Sequence, residues 1–297
     1  MKDGPLITIG IPTYNRPEKL KRTLDSIITQ NYKNLDIHIS DNCSTSKDTQ
    51  KVISSFIKKD KRLRVVRQKK NIGAVNNFNY LSRNSKGNYF MWIADDMQFS
   101  SKDLLEKLMD KMIENDNYVL VFPDFNKRDL TTGEIFENTY SKIYGGCKTD
   151  YDYLSKAVRK STYEIYGLFN LAKLKDAGIP LRFNMGEYEQ ATLHRVFVNG
   201  GARFVSGVSI TYDIEDNLST SLHPAYLLLS MGLTLGLLTY LKIYIKSKYS
   251  YDIKLRLYMI ILLNRLKYSS MLLVSCFRLR NIKRLLKSNW IETRSYQ

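Results

Sequence analysis

YFMWIADDM, residues 89 to 97, is the stretch on which the fold turns. Six aromatic and aliphatic residues run without a charge and stop at two adjacent aspartates, Asp95 and Asp96, as a buried strand does when it ends at a polar edge. Upstream, LITIGIPTY (6 to 14) is β-rich and ends in a Pro-Thr-Tyr-Asn-Arg-Pro turn, after which EKLKRTLDSIITQ puts Leu20, Leu24, Ile27 and Ile28 on one helical side. The unit repeats: DIHIS (36 to 40) precedes a polar turn and the helical DTQKVISSFIKK, and RLRVV (62 to 66) precedes an Asn/Gly turn and a helix near 74 to 84. Downstream, a charged helix over 101 to 115 leads to YVLVF (118 to 122). Alternation of this kind predicts the α/β class, a mostly parallel sheet with helices on both faces. Ligands of such a sheet belong at the C-terminal ends of its strands.

Three polar clusters fall at those ends. Pro12, Thr13, Tyr14 and Asn15 close the first strand and Asp41-Asn42 the second; a turn or a helix cap accounts for either as readily as a ligand does. Asp95 and Asp96 are sharper. Adjacent carboxylates repel unless a cation or a proton separates them, and a cap needs only one. Neither GxxxxGK[ST] nor GxGxxG occurs, so the usual triphosphate and dinucleotide signatures are missing. A nucleoside diphosphate held through a divalent metal, Mn²⁺ or Mg²⁺, fits hard oxygen ligands at a strand end.

The order IPTYNR, ISDNCST, NIG and WIADDM resembles the nucleotide-binding half of family 2 glycosyltransferases, which have the GT-A fold and invert the sugar, over roughly residues 5 to 125. That resemblance implies that Pro12, Thr13, Tyr14, Asn15 and Asn71 line the nucleotide-sugar site and that Asp41 hydrogen-bonds the base. It also implies that Asp95 meets the ribose or the metal shell and that Asp96 ligates the metal directly. Met97 stands where many relatives carry a third acidic residue, so the metal motif has its two-Asp form.

An inverting transfer needs a general base for the acceptor hydroxyl. In RFNMGEYEQATLHRVFVNGGARFV an acidic cluster opens a helix that ends at Asn199-Gly200-Gly201. The segment resembles the family's acidic pair. Glu187 matches the base position best, Glu189 is the alternative, and Arg195 is a positioning residue; dipole stabilisation of a helix N-terminus is the plainer account of both glutamates. His194 is a lone helical histidine, which is more often structural than catalytic. Tyrosines in YSKIYGG and TDYDYL lie in the stretch expected to face the acceptor, although most tyrosines serve packing or the surface.

The charge is uneven. Residues 224 to 297 hold 13 Lys and Arg against two Asp and Glu, a local +11 of the chain's +17. Their apolar runs are interrupted at Lys242, Arg265 and Lys267 before reaching the roughly 20 residues of a spanning helix. From Leu272 to Trp290 apolar residues recur at helical spacing beside Arg280, Lys283, Arg284 and Lys287, which suits a helix lying on an anionic membrane surface, with a capping helical bundle as the alternative. The expected organisation is a catalytic domain over 1–223, with a nucleotide-sugar half to 125 and an acceptor half beyond it, followed by a basic amphipathic extension over 224–297. Three widely spaced cysteines and no leader-like start point to the cytoplasm, at the inner face of the membrane. The implied partners are a nucleotide-diphospho-sugar, UDP foremost, and a glycan acceptor on a polyprenyl diphosphate. Nucleic acid is not expected, because the basic excess accompanies apolar runs. A sugar nucleotidyltransferase would carry a Gly-rich basic loop where PTYNRPEKL stands.

Overall fold

A computed structural model describes residues 4–138, 140–160, 163–176, 193–198, 201–214, 250–259 and 261–262. The chain separates into two compact units, Met1–Glu215 and Asp216–Gln297. The first begins with three βα repeats: β1 (Ile7–Thr13), α1 (Pro17–Ile28), β2 (Leu35–Asp41), α2 (Lys47–Lys59), β3 (Leu63–Arg67) and α3 (Ala74–Arg83). Then come β4 (Tyr89–Trp92), β5 (Met97–Phe99), α4 (Leu104–Ile113), β6 (Leu120–Asp129) and β7 (Ile135–Asn138). The remainder is α5 (Tyr140–Tyr144), α6 (Asp150–Lys160), a 3-10 turn at Tyr163–Tyr166, β8 (Leu168–Asn170), α7 (Leu171–Asp176) and β9 (Ala202–Ile214). Residues 193–198 are helical as well.

All the strands belong to one sheet, ordered β3-β2-β1-β4-β8-β6-β9-β5 with β7 on β6. From β3 to β4 every pairing is parallel, as the βα alternation requires. Beyond β4 the sheet is mixed: β8 runs antiparallel to β4 and β6, whereas β9 runs parallel to β6 and antiparallel to β5. The charged helix is shorter than its sequence suggests, Leu104–Ile113, and the fifth apolar run continues to Asp129 because β9 pairs along its whole length and β7 along Phe125 to Arg128.

β1 and β2 are buried along all seven of their residues, so their side chains pack on both faces, the signature of a central parallel strand. α1 faces this sheet with Leu20, Thr23, Leu24 and Ile27, and α3 with Phe78 and Leu81. Gly10 lets Phe90 and Leu81 close over β1: a Cβ there would fall 2.9 Å from the Phe90 ring. Trp92, fully buried, meets Phe90 edge-on at 4.7 Å and Phe169 at 5.5 Å and donates its indole N–H to the Phe78 carbonyl. That ring cluster anchors the strand immediately ahead of Asp95. Three of the four tyrosines of α5 and α6 are core residues, and Tyr151 is half-buried. Tyr140, Tyr144 and Tyr153 are buried around Phe122.

Within the second unit the described residues 251–259 are helical, with Tyr251, Leu255 and Met259 exposed at i, i+4 and i+8. Among the described residues no helix is long and apolar enough to cross a membrane.

Candidate functional site

β1 neighbours β2 on one side and β4 on the other, so the chain order reverses about β1 and opens a crevice at the strands' C-terminal ends. Thr13 and Asp41 face each other there in register, and the Asn42 amide donates to the Thr13 carbonyl at 2.9 Å. Two non-glycine residues adopt left-handed backbone at this edge, Asn15 at φ 54 and Cys43 at φ 67. Asparagine tolerates that region. Its side chain fixes the turn as well, Asn15 Oδ1 accepting the Ser46 N–H at 2.9 Å, and its backbone N–H donates to Ser44 Oγ at 2.9 Å. The β1–α1 loop is thereby tied to the β2–α2 loop.

Asp41 is fully buried, and both its oxygens are engaged: Oδ1 accepts the Ser44 N–H at 2.9 Å, and Oδ2 accepts Gln50 Nε2 at 2.7 Å with Arg67 at 3.6 Å. Asn42 Nδ2 donates to Asn71 Oδ1 at 2.9 Å, and its carbonyl accepts the Ile72 N–H, so Asn71 is held beside β2 from the loop before α3. Tyr14 stands 41% exposed at the mouth. Six of the sequence-derived residues, Pro12 to Asn15, Asp41 and Asn71, therefore share one edge with Asp95 and Asp96.

Asp95 and Asp96 are both buried. Thr13 Oγ1 donates to Asp95 Oδ2 at 2.7 Å, and a single nitrogen of Arg16, Nη1, reaches Asp95 Oδ1 at 3.2 Å and Asp96 Oδ2 at 3.0 Å. Burial pushes the Asp95 carboxyl up to about 6; the Arg16 charge opposes that rise and the Asp96 charge adds to it. Burial raises Asp96 likewise, again against Arg16. For Arg16, burial works against the charge, but Asp95 and Asp96 outweigh it and hold the guanidinium above its ordinary value. Two carboxylate oxygens converging on one cationic nitrogen are a donor set that suits a hard cation. Among the described residues no group of three or more His, Cys, Asp or Glu gathers.

Sequence reasoning missed two features here. Arg16 was visible in the Tyr-Asn-Arg-Pro turn, but nothing in one dimension placed it across the aspartate pair. Asp213 was hidden in the β-rich SITYDI: it is buried, Arg128 contacts it at 2.6 Å, Arg22 and Gln98 at 3.2 and 2.9 Å, and its N–H donates to the Asp96 carbonyl at 3.1 Å. The β5–β9 pairing, Met97 opposite Tyr212, and the β6–β9 register, Arg128 opposite Asp213, bring it there. Glu187 and Glu189 lie outside the described residues. His194 is buried in the helical stretch 193–198, and Gly201 at φ 67 starts the descent into β9.

The chain is similar to known glycosyltransferases. A putative teichuronic acid biosynthesis glycosyltransferase of Bacillus subtilis, TuaG, is 30% identical over 37% of this chain and 43% of its own. Glycosyltransferase GlyA of Streptococcus pneumoniae is 33% identical over 46% of this chain and 20% of its own. The chain spans about half or less of the length of the curated relatives it matches. Among solved structures, residues 1–349 of S. aureus TarS in complex with UDP-GlcNAc superimpose with a TM-score of 0.71 at 15% identity, over 89% of this chain and 74% of that one. The mannosyltransferase PcManGT of Pyrobaculum calidifontis, in complex with GDP-Man and Mn²⁺, gives 0.60 at 16% identity, over 92% and 75%. These likenesses fix the fold as GT-A. The family model described as glycosyl transferase family 2 matches residues 8–165, which is more than half of the chain and includes Thr13, Asp41, Asp95 and Asp96, and the chain accordingly belongs to glycosyltransferase family 2.

Proposed function

We propose that the chain moves a sugar from a nucleoside-diphosphate donor to a hydroxyl of a glycan acceptor, with inversion at the anomeric carbon, in the synthesis of a bacterial surface polysaccharide or oligosaccharide. The observation that carries this reading is the buried Asp95–Asp96 pair, converging on one cation at the crevice between β1 and β4. Pro12 to Asn15, Asn71 and Asp41 form the wall for the nucleotide, and a base edge that reaches Asp41 takes the place of the Gln50 amide. Thr13 orients Asp95 toward the ribose and the metal shell, and Asp96 is the direct ligand of Mn²⁺ or Mg²⁺. A divalent ion bound there neutralises the charge that grows on the departing diphosphate. Glu187 takes the acceptor proton, with Glu189 as the alternative, and Arg195 positions the segment.

Residues 1–223 form the catalytic domain in this reading, and 224–297 dock on an anionic membrane surface, at the inner face of the cell membrane. The exposed Tyr251, Leu255 and Met259 beside exposed Arg256 support docking through an apolar stripe flanked by positive charge. An acceptor carried on a polyprenyl diphosphate fits that placement. The complexes of TarS with UDP-GlcNAc and of PcManGT with GDP-Man and Mn²⁺ support the donor class and make UDP the first nucleotide to try, and the name of TuaG supports a surface polysaccharide as product.

Calorimetric titration of the full chain with UDP, GDP and dTDP, each with Mn²⁺ and again with EDTA, tests the reading. Metal-dependent binding of one nucleotide is expected. Silence from all three overturns it.

A further inference from the structure

Three arginines grip aspartates with two nitrogens, whereas Arg67, 48% exposed, reaches the buried Asp41 through Nη1 alone at 3.6 Å. Arg64 grips Asp36 through Nε and Nη2 at 2.6 and 2.9 Å, Arg62 grips Asp60 the same way, and Arg128 places Nε and Nη2 on Asp213. Those three side chains are 23–28% exposed. Arg16 differs in both respects. One nitrogen makes both of its carboxylate contacts, each longer than the tightest contacts above, and the side chain is 51% exposed. Its backbone, by contrast, is fixed: it is the N-cap residue of α1, followed by Pro17, and its carbonyl accepts the Leu20 N–H. A guanidinium on a rigid base, end-on to its partners and half in solvent, is built to swing.

Charge gives the swing a direction. Two buried carboxylates against the one guanidinium that touches both leave that contact set one positive charge short, with the charge of Lys19 acting on Asp96 besides. A divalent ion removes that deficit, and a guanidinium left next to the ion is repelled by it until an anion arrives. Resting on the metal-dependent transferase reading above, we propose that Arg16 is the resident cation of the Asp95–Asp96 pair, which it yields to the divalent ion as the nucleoside diphosphate arrives, its guanidinium then passing to the diphosphate. The residue thus competes with metal when no nucleotide is present and binds donor when both are. The consequence is thermodynamic coupling: metal and nucleotide each tighten the other's binding, because Arg16 penalises metal alone.

The test is Mn²⁺ binding to the full chain, read at pH 8 as the loss of the free-ion electron paramagnetic resonance signal, first with Mn²⁺ alone and then with UDP, GDP or dTDP. Arg16→Gln is expected to bind Mn²⁺ alone at least about fivefold more tightly than the unaltered protein, and to lose at least about fivefold of the gain that nucleotide confers, the lower end of typical coupling. Arg16→Lys keeps the charge and should retain most of that coupling, which separates competition by a cation from loss of a structural contact. If Arg16→Gln binds Mn²⁺ alone equally or more weakly, while the unaltered protein binds Mn²⁺ with nucleotide, the Arg16 inference is overturned and the transferase reading stands. If the unaltered protein takes up no Mn²⁺ with any nucleotide, the metal reading falls and this inference falls with it.

Discussion

Two buried aspartate sites lie along α1, and they are balanced in opposite ways. At the crevice, Asp95 and Asp96 share one guanidinium, Arg16, which is half exposed. At the neighbouring strand end, one carboxylate, Asp213, receives two arginines, Arg22 and Arg128, and the Gln98 amide. The second arrangement is closed, with every lone-pair direction of the carboxylate supplied by its own protein. The first is deficient in positive charge and keeps carboxyls that burial has pushed up. A site that is overpaired serves to hold strands together, whereas one that is underpaired is suited to recruit a cation. The same helix supplies Arg16 and Arg22 six residues apart, so the two sites differ by what the sheet brings to them rather than by the helix.

Substitutions should separate the two roles. Asp96→Ala is expected to abolish metal-dependent sugar transfer, while the denaturant midpoint stays level or rises, because a desolvated like charge is removed; residual activity with Mn²⁺ present would remove the ligand assignment. Glu187→Gln should leave nucleotide binding intact and slow turnover on the order of 10²- to 10⁴-fold, the worth of a general base. Should Glu189→Gln be the damaging change, the base lies two residues further on.

Asp213→Ala should do the reverse of Asp96→Ala. It leaves two arginines without their carboxylate, and a loss of about 2–3 kcal/mol is expected, short of the ~3–5 of a fully buried pair since both arginines reach solvent. Urea unfolding checks it, and a stability change as small as that of Asp96→Ala would erase the contrast.

The smallest effect is on pH. Asp95 rises from 3.8 to about 6 on folding, so the metal-free fold binds that proton more tightly than the unfolded chain. The associated stability is complete below about 3.8 and is lost as pH rises through about 6. Thermal melts without metal should fall across this window, and Mn²⁺ uptake should release protons within it and weaken below it. A flat melting profile there would mean that Arg16 keeps the pair ionised throughout.

The parallel half of the sheet was legible in the sequence because its order is local. β1, β2 and β3 are each followed by their own helix and β4 by the short β5, so apolar spacing in a short window predicts β1 to β4 and puts Thr13, Asp41, Asp95 and Asp96 at their C-terminal ends. Adjacent carboxylates after an uncharged strand point by their repulsion to a cation, and in the fold Arg16 touches both. Of the YSKIYGG and TDYDYL tyrosines, Tyr140, Tyr144 and Tyr153 are packing residues and Tyr151 is half-buried, a division that the sequence does not show.

What only the tertiary structure decided rests on long-range contacts. β9 enters between β6 and β5, joining residues more than 80 positions apart, and no periodicity encodes which strand it chooses. Asp213 reaches Arg22 across 191 residues and Arg128 across 85, and Arg16 reaches Asp96 across 80. By itself the sequence determined which residues carry charge at strand ends. Folding decided which of those charges meet, because pairing energies between distant side chains depend on separation and burial, which a linear pattern does not contain.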